Sequence, residues 1–124
     1  MNKKFYEGYE GEDAVRIWTG ENSAESGIIV WRGIFEVVLD GCYQKDFSKG
    51  GFIECYCNQN GFYDNQWEMR LPMIVMHELA AFNEKNCDTR SEDLIREAGE
   101  FIRFLVAFIN EAMNNDQKIY VEYT

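Results

Sequence analysis

Ile28-Ile29-Val30-Trp31-Arg32-Gly33-Ile34-Phe35-Glu36-Val37-Val38-Leu39 is the stretch on which the fold turns. β-Branched and aromatic residues dominate it, which is the composition of a strand. Read with period two, Ile29, Trp31, Gly33, Phe35, Val37 and Leu39 share one face. Val30, Arg32, Ile34, Glu36, Val38 and Asp40 fall on the other, a mixed set. On this reading Gly33 marks a bulge or a bend, and Asp40-Gly41 is a turn.

Working outward, Ala14 to Trp18 also reads as a strand, and residues 19–27 as a polar loop. Phe52 to Cys57 reads as a strand entered through Gly50-Gly51. Asn58-Gln59-Asn60-Gly61 is a turn cluster. Gln66 to Leu71 alternates again and completes a hairpin. Pro72 suits the first turn of a helix, where its missing N–H is not needed. Val75, Met76, Leu79 and Phe82 form that helix's apolar stripe, with His77, Glu78 and Glu84 outside.

From Leu94 to Met113 apolar residues recur at helical spacing over a wide arc, so the helix is expected over about residues 90–114. Thr89 with Glu92 has the spacing of a capping box. The narrow polar face carries Glu92, Arg96, Glu100 and Arg103, spaced for pairing. Lys118 to Tyr123 alternates and closes the sheet. Strands first, helices late and a final strand predict an α+β fold: a mostly antiparallel sheet with two helices packed on one face. Residues 1–124 are read as a single domain.

Composition narrows the function. The formal net charge is −10, yet 15% of the residues are aromatic and 46% are hydrophobic. Disordered acidic chains lack that apolar content, so this chain folds. An excess of carboxylates repels phosphate backbones and anionic lipid, which predicts no nucleic-acid partner and no membrane partner. No apolar run reaches the ~20 residues of a membrane span. Lys3 and Lys4 lead into charge and glycine rather than a signal sequence, which points to a cytoplasmic protein.

The cysteines Cys42, Cys55, Cys57 and Cys87 offer one C-x-C and two singletons. Zinc sites usually show C-x-x-C pairs, so these are read as reduced thiols, with no metal and no cofactor expected. In a strand, Cys55 and Cys57 would share a face.

Catalytic motifs are missing. His77-Glu78 begins an H-E-x-x-H pattern, but the second histidine position is Ala81 and His77 is the only histidine. There is no G-x-S-x-G elbow, no P-loop and no G-x-G-x-x-G. Gly50-Gly51 is too short to cradle phosphate and, on this reading, opens a strand. No catalytic residues and no enzyme activity are therefore expected. Glu54 and Glu68 could flank a pocket for glycoside hydrolysis, but such residues are commonly the solvated face of a sheet.

The residues that do stand out suit a partner. Glu10, Glu12 and Asp13 form an acidic cluster, with only Arg16 near in sequence. Phe62, Tyr63 and Asp64 follow a turn, where an exposed aromatic pair would act as an anchor, and Glu68 lies close by in sequence. These seven are the expected partner-binding residues, and a basic protein is the expected partner.

Size, acidity, aromatic content, the Glu10-Glu12-Asp13 cluster and the lack of catalytic motifs together resemble the small acidic immunity proteins of bacterial toxin systems, including contact-dependent growth inhibition. The resemblance implies a cytoplasmic domain that binds and blocks a toxin nuclease. Two other readings stand beside it. One is a small enzyme or ligand-binding domain with a pocket between sheet and helices. The other is an oligomerisation domain that forms a homodimer through the long helix.

Overall fold

The structure is a computed structural model that describes residues 2–20 and 27–124. Most of the polar 19–27 segment lies outside the described residues. Strands β1 (Asn2–Phe5), β2 (Ala14–Thr19), β3 (Ile28–Trp31), β4 (Trp67–Glu68) and β5 (Ile119–Tyr123) form a five-stranded sheet in the order β1-β3-β2-β5-β4. The sheet is mixed. β1 runs parallel to β3, while β2–β3, β2–β5 and β4–β5 are antiparallel. The fold is α+β, with four α-helices among the described residues rather than two: α1 (Arg32–Cys42), α2 (Phe52–Asn58), α3 (Pro72–Ala80) and α4 (Glu92–Asn114).

The largest departure from the sequence reading is at residues 28–39. Only Ile28–Trp31 is strand, and the chain turns helical at Arg32. At helical spacing Ile34, Phe35, Val37, Val38, Leu39 and Cys42 are all buried. Arg32, Glu36 and Asp40, spaced by four, form its half-exposed polar stripe. Packed between the sheet and the other helices, α1 is apolar over most of its girth. Burial therefore overrides the strand preference of Val and Ile. Gly33 is not a bulge: a Cβ there would lie 2.4 Å from the Trp31 ring, so its bare backbone admits the indole. Gly41 lies inside α1 rather than in a turn.

Phe52–Cys57 is helical too, so the expected hairpin is absent. Trp67–Glu68 pairs instead with β5. Two residues apart on α2, Cys55 is buried and Cys57 is exposed, so they do not share a face. Gly50-Gly51 thus opens a helix. The Glu78 carboxylate of α3 accepts from the N–H groups of Phe52, at 2.8 Å, and Ile53, at 3.4 Å. Glu78 is half-buried rather than outside, and it supplies the cap that α2's own sequence lacks.

α4 packs on α1 and α3, and its Phe101 and Phe104 meet Phe5 of β1 edge-on. Ala98, Phe101, Leu105, Ile109 and Ala112 form its buried line. Ile95, Ile102 and Val106 are half-exposed beside it, and Met113 is exposed. The cap is Ser91, whose Oγ accepts from Leu94 N, and not Thr89, whose Oγ1 accepts from Ser91 N. Among the described residues Arg96 pairs with Asp93 at 2.9 Å, not with Glu92 or Glu100. No helix among them is long and apolar enough to cross a membrane.

Candidate functional site

The residues before β2 are held by a set of turns. The Tyr6 hydroxyl donates to Glu12 O and accepts from Gly11 N, and Gly8 and Gly11 take positive φ. Glu10 accepts from Gly8 N, and such backbone bonds hold its carboxyl below the usual range. Tyr9 stacks on Trp31 with ring centres 4.0 Å apart and donates to Glu97 of α4. The loop is thereby fixed to the body, with Glu10, Glu12 and Asp13 facing solvent.

Asp13 is not uncompensated. It faces Arg32 at the start of α1, with Nη1 to Oδ2 at 3.7 Å, and Arg32 N donates to Asp13 O. The Arg32 guanidinium lies 4.2 Å from the ring centre of Tyr123 in β5, and its Nε is 3.7 Å from Glu36. The Tyr123 hydroxyl in turn donates to Glu36 at 2.8 Å. Burial and that acceptor raise the Tyr123 phenol well above the ordinary tyrosine value. One helical turn along α1, Asp40 accepts from the Tyr56 hydroxyl of α2, a bond that raises Tyr56 as well.

Tyr63 joins the same cluster, with its ring centre 4.5 Å from that of Tyr123. Its hydroxyl is buried and lies near Tyr123 and Gln59, but meets no partner at full hydrogen-bond geometry among the described residues. Burial raises its pKa. Asp64 follows, exposed. α1, β5, α2 and the 61–63 turn thus converge on a surface of tyrosines and carboxylates around Arg32.

Of the expected partner-binding residues, the structure brings Asp13 and Tyr63 into this cluster, with Glu10, Glu12 and Asp64 exposed alongside in sequence. Two expectations fail. Phe62 is not an exposed anchor: its relative exposure is 0%, and its ring packs against Phe35, Phe52 and Trp67. Glu68 is not beside it. Trp67 lies opposite buried Val121, so Glu68, opposite Tyr120, is on the reverse face of the sheet. Sequence reading missed Arg32, Glu36, Asp40, Tyr56 and Tyr123. The spacing of 32, 36 and 40 by four was the available signal for the first three.

A separate pocket of about 150 Å³ lies between α1, α2 and α3. It is lined in part by Cys42, His77 and Glu78. Burial and the nearby Glu78 charge push the Cys42 thiol up to about 12. At neutral pH it stays protonated, the wrong state for a nucleophile.

No known protein family matches the chain, and neither a curated protein nor a solved structure matches it. The fold and the cluster therefore define a class only: an acidic α+β domain with a tyrosine–carboxylate surface.

Proposed function

We propose that this chain is a binding protein that neutralises a basic protein partner, acting as an immunity protein that binds and blocks a cognate toxin nuclease. The observation that carries the reading is the tyrosine–carboxylate surface around Arg32 and Tyr123. A guanidinium already rests there, over one ring and between two carboxylates. A partner's arginine or lysine finds the same chemistry in Tyr63, Asp64, Asp40 and the Glu10-Glu12-Asp13 loop. A nuclease that grips phosphate presents such cations, and a net charge of −10 steers them in.

The test is co-expression with the protein encoded beside this gene. If that neighbour's basic domain arrests growth, this chain should restore growth and co-purify with it. Arrest that persists with the chain folded and abundant overturns the reading.

A further inference from the structure

We propose that the pocket between α1, α2 and α3 binds a cationic group at the end of an alkyl chain, a primary ammonium or a guanidinium. At about 150 Å³ it is far smaller than a drug-sized site and near the size of a cavity that holds one benzene ring. It suits one slender group. Its walls include apolar Ile53, Ile74 and Cys42, with Phe47 adding a ring. They would take the alkyl stem and, through Phe47, face a cation.

The charge in the pocket is negative. Glu78 and Asp46 both line it, while Lys45 and Lys49 on the same loop do not. His77, exposed at the wall, is the one basic residue in the lining. Glu78 is the telling group. Its two oxygens accept from Phe52 N and Ile53 N, and the bare backbone of Gly51 lets it close in, since a Cβ there would lie 2.4 Å from Oε1. A carboxylate can accept about four hydrogen bonds, so capping α2 leaves capacity for a donor. Among the described residues Glu78 has no ion-pair partner. A half-buried carboxylate in a pocket that also has an apolar wall, held in place and lacking a cation, is complementary to an alkylammonium, with Gln44 and Ser48 completing the polar side of the lining. The pocket shares no lining residue with the Arg32–Tyr123 cluster, so the inference stands apart from the proposed function.

The experiment follows the Phe52 and Ile53 amide signals by NMR in the isotope-labelled chain during titration with n-butylammonium. n-Butanol serves as a neutral control of the same length. Saturable shifts with a Kd on the order of 1 mM are expected with the amine and not with the alcohol. Glu78→Gln should weaken binding about tenfold or more. Ala81→Leu, which fills the pocket without touching the cap, should abolish it whether or not the Gln variant folds. Capped tripeptides with a central lysine or arginine separate the sources. Tighter binding than the amine assigns the group to a partner's side chain, and weaker binding assigns it to a free alkylamine. Equal shifts with butanol, no saturation with butylammonium, or full binding to a folded Ala81→Leu variant overturns the proposal.

Discussion

Glu78 on α3 accepts the backbone N–H of Phe52 at 2.8 Å, and so closes the N-terminus of a helix formed 26 residues earlier in the chain. α2 has no side-chain cap of its own. Removing the acceptor strands two N–H groups in a buried setting. Glu78→Ala should therefore destabilise the domain by about 1–2 kcal/mol, and Glu78→Gln, which keeps one acceptor, by less. Chemical denaturation of the variants measures this. A Glu78→Ala protein as stable as the parent would show that the cap contributes nothing.

The same carboxylate has a pH signature. Burial raises its pKa, although the two N–H bonds oppose this. The folded value thus lies above the unfolded one, and the folded state binds the extra proton. Stability contributed by this group rises as pH falls through the folded value and is fully present below the unfolded one. Just above the ordinary carboxylate range, the parent should gain stability relative to Glu78→Gln on acidification. A difference between the two that is flat with pH, or of opposite sign, would refute the assignment.

Neighbouring aromatics in the 61–63 turn should behave oppositely. Phe62 is fully enclosed, so Phe62→Ala should cost about 3–5 kcal/mol. Tyr63→Phe deletes a buried hydroxyl that reaches full hydrogen-bond geometry with neither of its neighbours Tyr123 and Gln59, and should be neutral or mildly stabilising. Thermal unfolding of the two variants decides it. A loss above about 1 kcal/mol for Tyr63→Phe would mean that the hydroxyl is bonded.

That contrast shows what the sequence could carry. β2, β5, the start of α3 at Pro72 and nearly the whole of α4 follow from local pattern. α1 and α2 do not, because Val37, Val38, Ile53 and Phe52 prefer strands and become helical by being buried. Arg32, Glu36 and Asp40 held the clue. On a strand they mix with Val30, Ile34 and Val38, whereas on a helix they separate cleanly. The site was half legible for the same reason. Asp13 and Tyr63 announce themselves as charge and ring beside turns. Tyr123 matters because it meets Glu36 across 87 residues, which no local pattern contains.

Thiol chemistry gives an independent check of the packing. Cys42, pushed up to about 12, and Cys55, pushed up to about 11, are buried, as is Cys87, whose Sγ donates to Val37 O. Cys57 alone is exposed. In the native protein at neutral pH, an alkylating reagent should modify Cys57 first and the other three only on unfolding. Mass mapping after brief labelling reads this directly. Early labelling of Cys42 would revive a nucleophilic role for it near His77.

The partner surface makes the most specific demand. Glu10 and Glu12 are exposed and outside the Asp13–Arg32 pair, so reversing them removes steering charge without breaking that contact. With a basic partner in hand, Glu10→Lys with Glu12→Lys should slow association about tenfold at low salt and much less at high salt, leaving dissociation nearly unchanged. Tyr63 should act on the other rate. Its half-exposed ring, tilted against Tyr123, is the contact, while its hydroxyl is sealed inside. Tyr63→Ala should speed dissociation by roughly thirtyfold, the size of an approximately 2 kcal/mol hot spot, and Tyr63→Phe should bind like the parent. Stopped-flow and surface-binding kinetics across a salt series separate the two effects. Association indifferent to salt, or parental dissociation from a folded Tyr63→Ala variant, would move the partner's footprint away from this surface.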